Sequence, residues 1–176
     1  ATQSFELTRS APDGDAALSA TITVSDTSGT DSDVENLALT VTNVTPTATV
    51  SGAATIAEGS LYTLTVGPIT DPGADTRSSY TIAWGDGLSD NFTAAEWTAA
   101  AGAFTHTYAD GPGNAVITVS TTDEDGSFIL GTQAVTIDNV APTATISGAA
   151  TIAEGSVYTL TVGAVSDPGA DTRSSY

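Results

Sequence analysis

Two stretches of the 176-residue chain have nearly the same sequence. Residues 46–80 read PTATVSGAATIAEGSLYTLTVGPITDPGADTRSSY, and residues 142–176 read PTATISGAATIAEGSVYTLTVGAVSDPGADTRSSY. The stretches begin 96 positions apart (142 − 46 = 96), and 30 of their 35 positions match. Most of the differences exchange side chains of similar volume, such as Val50 and Ile146, which a packed core tolerates. A repeat of this period indicates an array of similar structural units.

A looser match extends the repeat toward the N-terminus. The segment from Ala20, ATITVSDTSGTDSDVENLALTVTNVTP, parallels the segment from Ala115, AVITVSTTDEDGSFILGTQAVTIDNVAP. We therefore divide the chain into the back half of one unit (1–45), one whole unit (46–141) and the front third of another (142–176).

The whole unit has the alternating pattern of an all-β fold, and we expect a β-sandwich of about seven strands. In LYTLTV, for example, Tyr62, Leu64 and Val66 fall on one face of a strand. The Asp86-Gly87 pair is a strong signal for a tight turn. Turn signals recur between the strands, as two antiparallel sheets require. The predicted strands are 47–50, 61–66, 80–84, 104–108, 115–121 and 128–137.

One segment of the whole unit departs from the strand pattern. Thr93 and Glu96 have the spacing of a capping box, and the alanine-rich stretch 94–101 favours a helix. We predict a short helical turn that ends near Gly102. Trp97 would either pack over an edge of the core or stay exposed as a contact residue.

Composition excludes several classes of function. Three Lys and Arg residues against 21 Asp and Glu residues give a net charge of −18, so nucleic acids and anionic membranes are poor partners. The absence of cysteine excludes disulfides and thiol catalysis, and His106 is the only histidine, which excludes a His-rich zinc site. No apolar run approaches the roughly 20 residues of a membrane-spanning helix, so we expect no direct membrane insertion. No catalytic constellation stands out, and we expect no enzyme.

Three motifs resemble the PKD (polycystic kidney disease) domain family. They are WGDG (84–87), HTYADGPGNAVITVSTTDEDG (106–126) and DPGADT (71–76). The resemblance implies tandem Ig-like β-sandwiches of the kind found in bacterial adhesins and other extracellular or cell-surface proteins. It also implies a structural His106 that hydrogen-bonds to a neighbouring loop. Trp84 is expected in the core.

Acidic loops are the candidate functional feature. In an Ig-like sandwich, the loop 71–75, the loop 123–126 and the incoming linker 42–46 share one pole, whereas Glu58 lies at the other pole near the outgoing linker 138–140. Calcium prefers six to eight oxygen ligands from carboxylates, carbonyls and Asn, so each junction between units is a candidate calcium site. Solvated turns are the alternative, because Asp and Gly are ordinary turn residues. The candidate ligands are Asp71, Asp75, Asp123, Asp125 and Asn43 at the first junction, and Glu58, Asp138, Asn139, Asp167 and Asp171 at the second.

These observations favour a structural role. We expect extender or spacer repeats of a bacterial extracellular adhesin or surface fibre, with calcium stiffening the junctions. The partners would be neighbouring repeats of the same chain or subunits of the same fibre. The alternative is an accessory module of a secreted hydrolase that binds a surface polysaccharide or a protein. An exposed row of aromatic side chains would favour that alternative.

Overall fold

The structure is a computed structural model, and it describes residues 13–25, 28 and 31–171. The fold is all-β, with 51% of residues in strands and 4% in helix. The first described element is an antiparallel hairpin of β1 (Ala16–Ser25) and β2 (Ser32–Val41), which we call the N-terminal hairpin.

Residues 46–141, the central unit, form two sheets. The larger sheet has the strand order β4-β10-β9-β6-β7, and the smaller has the order β3-β5-β8. All neighbouring strands are antiparallel except β4 and β10, which run parallel. The elements are β3 (Val50–Gly52), β4 (Thr55–Ala57), β5 (Leu61–Val66), β6 (Ser79–Ala83), β7 (Ser89–Thr93), α1 (Ala94–Ala99), β8 (Ala103–Thr107), β9 (Gly113–Thr122) and β10 (Ser127–Asp138).

A single core joins the two sheets. Tyr62, Leu64 and Val66 are the buried residues of β5, and the alternate residues of that strand are exposed, as the sequence pattern predicts. They pack in one cluster with buried residues of the larger sheet, including Ile117 and Val119. Each such side chain contributes about 1.5–3 kcal/mol when it is fully buried. The central unit is therefore sandwich-like.

The predicted burial of Trp84 is confirmed, since its side chain is 1% exposed. Its indole Nε1 donates a hydrogen bond to Asp90 Oδ2 (2.8 Å), and its ring stacks on His106 with the centroids 4.7 Å apart. His106 Nε2 lies 2.7 Å from Asp86 Oδ2. His106 thus holds the turn that follows Trp84, which agrees with the expected structural role of this histidine.

The predicted helical turn is also confirmed. The Thr93 hydroxyl accepts a hydrogen bond from the Glu96 N–H, and the Glu96 carboxylate accepts one from the Thr93 N–H, so both halves of the capping box are formed. Trp97 packs between neighbouring rings, with its ring stacked 4.4 Å from that of Tyr80 and tilted 4.6 Å from that of Phe104. Of the two alternatives for Trp97, the structure shows packing over the core edge.

Several strand boundaries differ from the predicted ones. Thr47 makes only an isolated bridge with Thr70, and the strand begins at Val50. Two strands were not predicted: β4, which is too short for its alternation to be recognised, and β7, whose sequence SDNFT is mostly polar. In the larger sheet, β7 is the edge strand next to β6.

The last described part, residues 142–171, is the C-terminal segment. It contains a short antiparallel pair, β11 (Ile146–Gly148) and β12 (Leu160–Val162). Among the described residues, no helix has the length and apolarity needed to cross a membrane.

Candidate metal sites at two junctions

Three carboxylates converge where the N-terminal hairpin meets the central unit. Asp13, Asp75 and Glu124 each present an oxygen, and these oxygens lie within 4.8 Å of one another. Asp75 ends the DPGAD loop 71–75, and Glu124 belongs to the β9–β10 turn. The Thr76 N–H donates to Glu124 Oε2 (2.8 Å), which ties these two loops together at one pole of the unit.

Asp75 has an unusual electrostatic environment. Contacts with the carboxyl groups of Asp13 and Asp71, together with partial burial and their negative charges, raise the pKa of Asp75 to about 7. Both of its carboxylate oxygens are shielded from solvent and receive no hydrogen bond. Carboxylate oxygens this close repel unless a proton or a cation lies between them.

Asp71 is partly neutralised by a cation. Its side chain is 2% exposed and pairs with Arg77, at 3.4 Å between Oδ2 and Nη2. Arg77 is the only Lys or Arg residue in the described ranges. The remaining carboxylates of this junction therefore have no basic partner within the described part of the chain.

The other candidates at the first junction have different surroundings. Asp123 is buried and shapes its own turn, because its Oδ1 accepts hydrogen bonds from the N–H groups of Asp125 and Gly126. The Asp125 carboxyl group is surrounded by acidic groups, and partial burial followed by these charges raises its pKa. The Asn43 N–H donates to Asp15 Oδ1 (3.0 Å), and Asn43 lines a small cavity with Pro72 of the DPGAD loop.

A second cluster lies between the central unit and the C-terminal segment. Oxygens of Glu58, Asp167 and Asp171 lie within 4.8 Å of one another. Glu58 is 1% exposed, and its two oxygens accept hydrogen bonds from the N–H groups of Gly111 and Val140. The sequence placed Glu58 near the outgoing linker, and the structure shows this contact.

The second DPGAD loop, 167–171, packs directly against the end of the central unit that contains Glu58. The Ala170 N–H donates to the Ala109 carbonyl (2.8 Å). The backbone of Gly169 lies against the Glu58 carboxylate so closely that a Cβ at Gly169 would be 2.5 Å from Glu58 Cδ. Only glycine fits at this position without displacing the buried carboxylate.

Asn139 joins this second cluster. In the orientation of its side-chain amide that gives both the oxygen and the nitrogen suitable hydrogen-bond partners, Nδ2 donates to Asp171 Oδ2 and to Glu58 Oε1, both at 3.2 Å. The opposite orientation directs the amide oxygen at the same two carboxylates, which would suit a cation held between them. Partial burial, followed by the charges of Glu58, Asp167 and Asp110, raises the pKa of Asp171. Asp138 has an exposed side chain, and its carbonyl accepts from the Glu58 N–H (3.0 Å).

The two junctions use equivalent residues. Asp75 and Asp171 are 96 positions apart, as are Asp71 and Asp167, and Asn43 and Asn139. Asp75 interacts with Asp13, and Asp171 interacts with Asp110. Sequence analysis missed Asp13, Asp110 and Glu124. The sequence did contain a pattern that relates Asp13 to Asp110. Each is followed by glycine, and each lies a few residues before the motif ATITVS or AVITVS.

This chemistry fits a hard divalent cation. Clustered carboxylate and amide oxygens, without nitrogen or sulfur ligands, are the donor set that calcium prefers. The orphaned oxygens of Asp75 are the specific observation in favour of this fit. Glu58 could offer only the remaining lone pairs of its oxygens, because each already accepts a backbone hydrogen bond.

An aromatic binding row is not seen among the described residues. Their aromatic side chains are mostly buried or half-buried, and Tyr158, at 49%, is the most exposed of them.

Comparisons with known proteins assign no relationship. No protein-family model matches the chain, and no curated protein matches it.

Proposed function

We propose that this chain is a tandem array of Ig-like, PKD-type repeats that acts as a structural extender of a bacterial extracellular adhesin or surface fibre. Its units would be 1–45, 46–141 and 142–176. The role is mechanical rather than catalytic, and it holds a distal module away from the cell surface or forms the fibre itself. Near-identical repeats suit this role, because a spacer needs length and stiffness rather than a unique site.

The observation that carries the proposal is the repeated junction. At both junctions a DPGAD loop meets the preceding part of the chain through equivalent aspartates, Asp75 with Asp13 and Asp171 with Asp110. Because the same loop meets the same kind of surface each time, every unit would follow the previous one with the same angle. A regular rod follows from such a contact, whereas freely jointed units would need no conserved contact between them.

Calcium at these junctions is the second part of the proposal. Asp13, Asp75 and Glu124 would hold it at the first junction, with Asp71, Asp123, Asp125 and Asn43 nearby. At the second junction the ligands would come from Glu58, Asp167, Asp171 and Asn139, with Asp138 at the margin. Bound calcium supplies positive charge that turns mutual repulsion into shared coordination. The carboxylates of two successive units would then be held together, and the joint between them would stiffen.

Thermal unfolding of the full chain tests the calcium proposal. With calcium at a hundredfold excess over its dissociation constant, we expect about 2.7 kcal/mol of added stability compared with chelator. The double variant Asp75→Asn, Asp171→Asn should lose this gain. The matched control Asp31→Asn, Glu154→Gln removes two exposed charges outside both carboxylate clusters and should keep it.

Small-angle scattering on the same samples measures the joint directly. The wild-type chain should become longer and less variable in its dimensions when calcium is added. Equal melting temperatures and equal scattering dimensions with calcium and with chelator would remove calcium from the proposal. An extender role without calcium would still stand if the dimensions were rod-like in both conditions.

A further inference from the structure

The N-terminal hairpin presents an uncovered apolar face. Directly opposed residues of an antiparallel pair share a face, and here Leu18 opposes Leu39 while Ala20 opposes Leu37. Ile22 and Val24 follow on the same face of β1, and each is 65% exposed. Glu35 and Asp33 lie opposite Ile22 and Val24, so the exposed apolar residues of this face form a stripe along β1 that is bordered by two carboxylates. An exposed apolar stripe of this kind marks an interaction surface.

The C-terminal segment presents a second apolar face. Tyr158, Leu160 and Val162 alternate along the chain and therefore point the same way. All three are about half exposed, and Ile146, which opposes Val162 across the β11–β12 pair, is 69% exposed.

The central unit contains equivalents of both faces, and there they cover each other. Ile22 and Val24 correspond to Ile117 and Val119 in the matching segments from Ala20 and Ala115, and Leu160 corresponds to Leu64 in the 96-residue repeat. Ile117, Val119 and Leu64 are each 0% exposed and lie in one core cluster. The two exposed faces thus carry the two halves of a packing arrangement that the same molecule already displays.

The backbone edges are complementary in the same way. In the central unit, β4 pairs in parallel with β10, with Thr55 opposite Thr136 and Ile56 opposite Ile137. The equivalents of the β10 residues are Thr40 and Val41 at the end of β2, whose sheet contains only β1 and β2 among the described strands. The equivalents of β4, residues 151–153, form no strand. Each edge lacks the partner that the other provides.

We propose that the C-terminal segment of one copy of this chain packs on the N-terminal hairpin of a second copy. Residues 151–153 add in parallel to the edge of β2, and Leu160 packs toward Ile22. Within one copy, the hairpin adjoins the DPGAD loop that follows β5, whereas the C-terminal segment adjoins Glu58, which precedes β5. The two faces therefore lie at opposite ends of the central unit and meet only between copies, in a head-to-tail contact that extends into a filament if it does not close.

The contact would build one composite unit from the hairpin of one copy and the C-terminal segment of the other, and electrostatic repulsion between the copies opposes its formation. It contains equivalents of β3, β4, β5, β9 and β10, and the described residues supply no equivalents of β6, β7 and β8. We therefore expect reversible association that depends on concentration. The net charge of −18 on each copy opposes association, so salt should strengthen it.

Sedimentation velocity of the full chain, in about 0.15 M salt with chelator present, tests the proposal. The wild type should form larger species as its concentration rises. Ile22→Asp and Leu160→Asp should each be monomeric alone, because each disables one face. Mixed in equal amounts they should form a discrete heterodimer, since one variant retains the intact hairpin and the other retains the intact C-terminal segment.

Matched controls lie on the opposite faces of the same strands. Thr23→Asp and Thr161→Asp add the same charge and should associate as the wild type does. Fluorescence of Trp84 and Trp97 verifies in every variant that the central unit is folded. The proposal is overturned if the wild type stays monomeric, if association survives either aspartate variant, or if the two variants do not combine when mixed. Chelator separates this contact from the calcium proposal, which it does not require.

Discussion

Replacing Trp84 with alanine probes the contact between the two sheets of the central unit. The side chain is fully enclosed, so its removal leaves a cavity, and substitutions of this kind cost about 3–5 kcal/mol. The lost hydrogen bond to Asp90 adds little, because Asp90 is exposed and water can replace the indole N–H. The expected loss is a large part of the roughly 5–15 kcal/mol that stabilises a typical domain.

Urea unfolding followed by fluorescence measures this loss. Both tryptophans of the chain lie in the central unit, so Trp97 reports on the same unit after Trp84 is replaced. With a slope of about 2 kcal/mol per molar urea, a loss of 4 kcal/mol lowers the midpoint by about 2 M. Leu88→Ala is the matched control in the same turn, and its side chain is 61% exposed, so it should change stability by less than about 0.5 kcal/mol. A Trp84→Ala variant no less stable than the Leu88→Ala control would refute the reasoning.

Two further predictions concern pH. Partial burial acts to raise the pKa of Asp86, but hydrogen bonds from His106 and the Leu88 N–H outweigh it and lower the pKa. A lowered carboxyl pKa adds stability that is present at neutral pH and is lost on acidification, so Asp86→Asn should melt earlier at pH 7 and show a flatter melting curve against pH below about pH 4. Asp75 has the opposite sign: its raised pKa of about 7 makes the deprotonated group unfavourable in the folded state, so without calcium, stability should fall as pH rises from about 4 toward 7 and level off above that. Because protons and calcium would share this site, the calcium effect on melting temperature should be larger at pH 8 than at pH 6, and Asp75→Asn should remove the difference.

Local sequence patterns predicted the parts of the fold that depend on local physics. Alternation in β5 identified its buried face, and the Thr93–Glu96 spacing identified α1, because each pattern follows directly from the geometry of the element. The strand β4 was missed because its three residues are stabilised by pairing with β10, about eighty positions later in the chain. No local signal encodes such a distant partner.

The candidate site residues also divide into those that the sequence predicted and those that depend on a distant part of the chain. Asp75, Glu58 and Asp171 were predicted because loops at the poles of a sandwich must meet at junctions. Asp13 was missed because its role depends on the approach of the DPGAD loop from another part of the chain. Asp123 was predicted as a ligand, and in the structure its Oδ1 accepts two hydrogen bonds from its own loop and so shapes the turn.

The parallel pairing of β4 with β10 determines how the central unit would respond to tension. The chain enters the unit through β3, which directly precedes β4, and leaves it after the C-terminal end of β10. Pulling on the two ends would therefore drag these parallel strands past each other along their length. Their hydrogen bonds would be strained together, whereas the bonds of an antiparallel hairpin pulled from its open end break one after another. The central unit would thus resist stretching until this short ladder fails as a whole, which is the mechanical property that the proposed extender would need.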